Sequence, residues 1–304
     1  MRIVFIGQAP FGKESLAALL DQGETVVGVI TIPDLPNQKY PNPVKELAEE
    51  KSIPLLQSSR LKTPEAIRWV KELNPDLLVL AFVTSFVPKE MIDAATFGGI
   101  NYHPSLLPKY RGGSAINWAI INGETETGVT IHQIDAGVDT GPIVLQEKVA
   151  IDPDDTVKRL YFQKLYPLGI KMVAKAVRLI RDGSASPVEQ DESLASFQPV
   201  ITEKDTQIDW KQNTQTVYDL IRGANPAPGT VTTCKKETIK IWAAKPYPLQ
   251  GPSGSIIDVT DDGFVVSTGD GGMLVQLVQP IGGKKISAVD FVENSGIKIG
   301  DHLK

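Results

Sequence analysis

The chain has 304 residues, 41% hydrophobic and 22% charged, with a formal net charge of −5 and a pI of about 5.4. That length fills one large domain or two ordinary ones, and the acidic balance gives no global attraction for nucleic acid, so RNA contact would need a local basic patch. A single cysteine, Cys234, excludes an intramolecular disulfide and a cysteine-built zinc site. No apolar run reaches the roughly 18 residues of a membrane span, and the N-terminal apolar run is too short for a signal peptide. The expected compartment is the cytoplasm.

The first half alternates strand and helix signals. Residues 3 to 6 form an apolar run closed by Gly7, and Leu16, Leu19 and Leu20 then mark one helical face. Residues 26 to 32 read as a β-branched second strand stopped by Pro33. Residues 43 to 50 read as a helix with Pro43 in its first turn. Residues 53 to 56 give a third strand, and residues 64 to 73 a helix with Ile67, Val70 and Leu73 on one face. Residues 77 to 82 are continuously apolar, as a strand covered on both faces requires. Strands over 99–103, 127–135 and 142–149 follow, the last two joined by a loop over 136–141. A long helix carries Val157, Leu160, Leu165, Val173, Val177 and Ile180. Asp154 or Asp155 is placed to cap it, Pro167 to kink it and Gly183 to end it. This pattern specifies an α/β domain over residues 1–183: a Rossmann-like, mostly parallel sheet with helices on both faces.

Residues 184–203 lose the rhythm and are rich in Ser, Pro and acidic residues, as in a linker. Residues 205 to 225 give one modest helix. Short strands then recur at 238–243, 254–259, 263–268 and 273–279, each bounded by Gly, Pro or Asp. Residues 204–304 are therefore expected to form a small, OB-like C-terminal β-barrel.

The stretch from Asn101 to Gly113 is the most informative. Asn101 and His103 are two apart on one strand, so their side chains share a face. They lie at the C-terminal end of that strand, where open α/β sheets place their ligand crevice. Pro104 ends the strand, and the Leu106-Leu107-Pro108 loop offers an apolar wall for a flat ligand. His103 reads either as a hydrogen-bonded core histidine or as an acid–base group. The loop containing Asp135, Gly137 and Asp139 reads either as ordinary turn chemistry or as a carboxylate delivered beside His103. Residues 7–12 do not form the Gly-x-Gly-x-x-Gly phosphate fingerprint. No Walker loop, no Gly-x-Ser-x-Gly elbow and no pair of histidines at metal-ligand spacing is present, so no metal is expected.

At these residues the sequence resembles the formyltransferases and hydrolases that use 10-formyltetrahydrofolate. The shared signature is Asn101-x-His103, Ser105-Leu106-Leu107-Pro108, Lys109-Tyr110-Arg111-Gly112 and, further on, Asp139-Thr140-Gly141. Residues 267–271, and Gln279 with 282–285, are similar to the second domain of the methionyl-tRNA formyltransferases within that family. Residues 6–8, 102–104 and 114–118 are similar to the hydrolase domain of formyltetrahydrofolate dehydrogenase, and residues 117–118 and 122–128 to a formyltransferase of an amino-sugar nucleotide.

The resemblance implies 10-formyltetrahydrofolate as cosubstrate. It implies catalysis by Asn101, His103 and Asp139, and substrate contacts from Ser105, Leu106, Leu107, Pro108, Lys109 and Arg111. It places the pterin ring between residues 81–88, which include Phe82 and Val83, and the loop of Asp135, Gly137 and Asp139. Asn101 and an N–H of His103 would steady the oxyanion, His103 would move the proton, and Asp139 would orient His103. The expected acceptor is an amine, with initiator methionyl-tRNA as partner. Water, as in a formate-releasing hydrolase, or a small amino-sugar nucleotide stays open, as does a folate-binding module without catalysis. A tRNA would meet Lys39, Lys109, Arg111, Lys235, Lys236, Lys284 and Lys285, and stack on Tyr40, Tyr110 or Trp242.

Overall fold

The structure, a computed structural model, describes the whole chain except residues 37, 38 and 236. Its elements in chain order begin with β1 (Arg2–Gly7), α1 (Ala9–Asp21), β2 (Thr25–Thr31), α2 (Pro43–Glu50), β3 (Leu55–Gln57), α3 (Pro64–Leu73), β4 (Leu77–Ala81), α4 (Lys89–Ile92) and β5 (Gly99–His103). Then come β6 (Arg111–Gly112), α5 (Ala115–Ile121), β7 (Glu126–Gln133), β8 (Ile143–Ala150), α6 (Val157–Leu160), α7 (Tyr166–Arg181) and β9 (Phe197–Gln198). The remainder is α8 (Thr214–Gly223), β10 (Thr230–Cys234), β11 (Glu237–Tyr247), β12 (Ile256–Thr260), β13 (Gly263–Ser267), β14 (Gly272–Pro280), β15 (Ile286–Ser287) and α9 (Ala288–Ser295).

The chain divides into two compact units that interleave along the sequence, where the residue pattern suggests one cut near 184–203. One unit holds residues 1–112, 128–149 and 162–197; the other holds 113–127, 150–161 and 198–304. Residues 184–197 thus belong to the first unit. Backbone pairing of Val188 with Ile143 and side-chain bonds from Gln190 and Glu192, none of which composition reveals, join this stretch to that unit.

The first unit is built on a seven-stranded sheet of order β3-β2-β1-β4-β5-β7-β8. β1 pairs in parallel with β2 and β4, and β4 with β5, as the apolar runs predict. β7 runs antiparallel to β5, bringing Asn101 opposite His132 and His103 opposite Thr130. Val4, Ile6, Leu78 and Leu80 from the central strands pack with Val70 of α3 and Met91 of α4 into one buried cluster. Local signals explain the helix starts. Asn42 caps α2 by accepting from the N–H groups of Val44 and Lys45, and Thr63 caps α3 by accepting from Ala66 N–H. Pro167 sits in the first turn of α7, directly after a π turn at Tyr161–Leu165. A proline has no N–H to continue an α-helical ladder. The cap of α6 is Thr156, not Asp154 or Asp155, because the Asp155 carboxylate already accepts from Asp152 N–H.

The second unit contains an antiparallel sheet of order β10-β11-β14-β13-β12, with β15 added to β14. Ile239, Ile241, Phe264, Val266, Met273 and Val275 fill its core with Phe291 of α9 and Val217 of α8. The C-terminal residues bridge its two edges: Leu303 pairs with Cys234 of β10, and His302 with Ser255 beside β12. That bridging supplies the closure expected of a barrel and covers edges that would otherwise be exposed.

Candidate active site

Asn101 and His103 stand on the same side of β5, at its C-terminal end. Asp139 comes from the loop after β7. That loop is shaped by Asp135, whose Oδ1 accepts from Gly137 N–H at 2.9 Å and from the Thr140 hydroxyl at 2.7 Å. Asp139 itself adopts φ of 55°, the left-handed region that non-glycine residues seldom occupy. Its carboxylate sits among four groups. Oδ2 accepts from Gly112 N–H at 2.9 Å and lies 3.4 Å from His103 Nδ1. Oδ1 lies 3.3 Å from His132 Nε2 and 3.4 Å from Asn101 Nδ2. Asn101, His103 and Asp139 therefore converge, all within one unit of the protein.

The ring nitrogens of His103 have separate tasks. Nε2 lies 2.7 Å from the Tyr110 carbonyl oxygen, which can only accept, so Nε2 carries a hydrogen and donates it. In the neutral ring Nδ1 is then a bare lone pair facing the Asp139 carboxylate, a contact that becomes attractive only when Nδ1 takes a proton. Burial pushes the His103 pKa below its ordinary value, opposed by the Asp139 charge and the Tyr110 carbonyl. Burial thus favours the neutral ring, whose lone pair is at Nδ1. Sequence reasoning assigns one His103 N–H to an oxyanion, but in the neutral ring the N–H is committed to Tyr110. Burial would raise the pKa of Asp139, yet the His132 contact, the positive charges that His103 and His132 carry at the low pH where Asp139 titrates, and the Gly112 N–H hold it down at about 2. It is a carboxylate at all working pH values.

His132 is the site residue that sequence reasoning missed. Its Nδ1 lies 2.8 Å from the Gln133 carbonyl, and its Nε2 lies 3.2 Å from Asn101 Nδ2. A neutral ring donates at the first and accepts from Asn101 at the second. The alternation of Thr130 and His132 on one face of β7 was the available signal, but it has meaning only once β7 is registered against β5.

The residues expected to contact substrate are distributed differently. Ser105 is fully buried, donating to Lys109 O and offering its own carbonyl to Thr130. Leu107 is buried, and its carbonyl accepts from Gln146. Leu106 and Pro108 are half-buried, and Lys109 is exposed. Phe82 is exposed and Val83 half-buried at the C-terminal end of β4. Asp135 and Gly137 are exposed in the loop they shape. Arg111 departs most from expectation: it is 0% exposed. Its guanidinium donates to Gln190 Oε1 at 3.1 and 2.8 Å, and to both carboxylate oxygens of Glu192 at 2.9 and 2.6 Å. It is a buried clamp and cannot reach a ligand or a tRNA phosphate.

The basic and aromatic candidates also sort by geometry. Tyr110 is buried and works through its carbonyl. Trp242 is buried, with the Lys285 ammonium 3.2 Å from its ring centroid. Lys235 is paired with Asp301 at 2.8 Å, and Lys236 lies outside the described residues. Lys284 and Lys285 are exposed, as are Lys39 and Tyr40. No helix among the described residues is long and apolar enough to cross a membrane.

Residues 1–177 match the formyl transferase family, and residues 200–296 match the formyl transferase C-terminal domain. The chain is 36% identical to the methionyl-tRNA formyltransferase of Geobacter metallireducens, an alignment spanning 100% of this chain and 98% of that protein. An N-formyltransferase from Helicobacter canadensis, solved with folinic acid and dTDP-3-aminofucose, superposes with a TM-score of 0.70 at 21% identity, covering 93% of this chain and 99% of that one. HypX from Aquifex aeolicus, solved with tetrahydrofolic acid, gives 0.68 at 19% identity over 96% of this chain, which spans 47% of HypX. Those two structures share the fold, while the two matched domains and the full-length identity place the sequence: the chain belongs to the formyl transferase family.

Proposed function

We propose that this protein transfers the formyl group of 10-formyltetrahydrofolate to the amino group of methionyl-tRNA, releasing tetrahydrofolate in the cytoplasm. The observation that carries the chemistry is His103 Nδ1, a bare basic nitrogen 3.4 Å from an ionised carboxylate that the Asn101 amide also faces. The acceptor is supported by the full-length likeness to a methionyl-tRNA formyltransferase and by the second matched domain.

The amine attacks the formyl carbon, and negative charge develops on the formyl oxygen. The 3.4 Å contact from Asn101 to Asp139 is longer than a good hydrogen bond, so that N–H is available to turn to the oxyanion. The attacking nitrogen becomes cationic, and His103 Nδ1 takes its proton. The resulting imidazolium is held between the Tyr110 carbonyl and the Asp139 carboxylate. His103 then gives the proton to the departing folate nitrogen as the carbon–nitrogen bond breaks. Asp139 keeps its own proton off throughout, since its pKa is held at about 2.

The test supplies purified protein with 10-formyltetrahydrofolate, with and without methionyl-tRNA, and follows formyl-methionine and formate separately. Formyl-methionyl-tRNA should form in step with tetrahydrofolate. Formate released at the same rate whether or not tRNA is present would replace the proposal with hydrolysis. Reversing exposed Lys284 and Lys285 to Glu should weaken tRNA-dependent turnover, with partial recovery at low salt.

A further inference from the structure

We infer that Gln190 is a positioning residue for Asp139: its carboxamide, oriented by the buried Arg111, ties down the loop that delivers the Asp139 carboxylate to His103. The inference rests on the catalytic reading of Asn101, His103 and Asp139 given above.

Residues 135 to 138 of that loop are exposed, and Asp139 holds a left-handed backbone. Such a loop needs an external tie, because an exposed turn keeps an unfavourable conformation only when its surroundings over-determine it. Gln190 provides that tie. Its Nε2 donates to Asp139 O at 2.9 Å and to Gly141 O at 2.7 Å, so both amide hydrogens are used on the loop. The orientation of the amide is not ambiguous. Its Oε1 faces two Arg111 N–H groups, and arginine has no acceptor, so the NH2 end must face the two carbonyls. Arg111 is in turn fixed by the paired bonds to Glu192 and by the Phe197 ring 5.4 Å away. The result is a chain of fixed contacts from Glu192 through Arg111 and Gln190 to Asp139. Every member lies in one unit of the protein. None of these side chains touches the reacting atoms; they set where one carboxylate stands. A displacement of about 1 Å at such a group can cost about 10²-fold in rate.

Gln190→Glu is the informative variant. It keeps the size and the Arg111 contacts but sets a second oxygen against two carbonyl oxygens. The experiment measures formyl transfer from 10-formyltetrahydrofolate to methionyl-tRNA for Gln190→Glu, Asp139→Asn and the double variant, with thermal unfolding to establish folding. Gln190→Glu should lower kcat by about 10- to 100-fold with the KM for methionyl-tRNA within about twofold. In the Asp139→Asn background the same change should alter kcat by less than about threefold, because coupled groups do not add. Gln190→Ala, run in parallel, gives the same pattern and covers the case in which the glutamate variant fails to fold. The inference is overturned if both Gln190 variants keep kcat within about threefold of the parent, or if their losses are equal in both backgrounds, as for a general structural defect. Retained turnover in Asp139→Asn alone would instead remove the catalytic reading, and the inference with it.

Discussion

Replacing Asp139 with Asn removes one charge from a site built around it. The amide has the shape of the carboxylate and can keep its oxygen on Gly112 N–H, so the protein should fold. What is lost is the attraction between the carboxylate and the imidazolium that forms during transfer. At the observed 3.4 Å separation two unit charges attract by about 5 kcal/mol at an effective dielectric of about 20, and by about 1 kcal/mol in bulk water. The Asp139 side chain is 13% exposed, so the site lies between those limits. About 3 kcal/mol is expected, which is about 10²-fold in turnover. The pH dependence sharpens the test. Asp139 raises the His103 pKa against the larger lowering by burial, so its removal lowers that pKa further and leaves more neutral base, not less. The acid limb of the turnover profile should move to lower pH. The loss on the plateau should persist at every higher pH, because it comes from the transition state. A stopped assay of labelled formyl transfer from pH about 5 to about 9 reads both. Turnover of Asp139→Asn equal to the parent's on the high-pH plateau would refute the reasoning, since it would mean that the carboxylate acts only through the His103 pKa and not in the transition state.

Two further outcomes follow from the same geometry. Asn101→Ala removes an oxyanion donor and should cut kcat by about 10²- to 10³-fold, with the folate dissociation constant nearly unchanged; equal losses in both, read by fluorescence titration and turnover, would make Asn101 a binding residue. Asp139 is also a stability element. Its pKa falls from 3.8 to about 2 on folding, so its contribution is complete above 3.8 and is lost as pH falls through about 2. Denaturant titrations should show the parent losing about 2 kcal/mol more than Asp139→Asn over that window, and parallel curves would contradict the assignment.

The central sheet was legible because buried parallel strands announce themselves as continuous apolar runs, as in the fully buried β4. Strand direction was not legible: β7 carries no pattern that distinguishes an antiparallel neighbour from a parallel one, and with its direction went the partnership of His132 with Asn101. Strand β10 escaped notice because its sequence, Thr-Val-Thr-Thr-Cys, is largely polar. Its Thr230 and Thr232 are nonetheless fully buried, with hydroxyls donating to the carbonyls of Ile241 and Lys304. The same limit explains Arg111. The family resemblance implies a ligand contact there, and only the structure shows its guanidinium buried against Gln190 and Glu192. Those two partners lie about 80 positions downstream, in a stretch whose composition resembles a tether. Asn101, His103 and Asp139, which meet in the structure, were readable from a local signature. Residues that hold them in place were not, because their partners are distant in sequence.

The central claim is that His103 performs chemistry and does not merely shape the folate site. The most direct measurement compares the parent with His103→Asn for two quantities: the dissociation constant for 10-formyltetrahydrofolate and the single-turnover rate of formyl transfer to methionyl-tRNA. The account predicts a dissociation constant within about threefold of the parent and a transfer rate lower by about 10²- to 10⁴-fold, the range for a positioned acid–base group. A transfer rate close to that of the parent, or a rate loss matched by an equal loss of folate affinity, would contradict it.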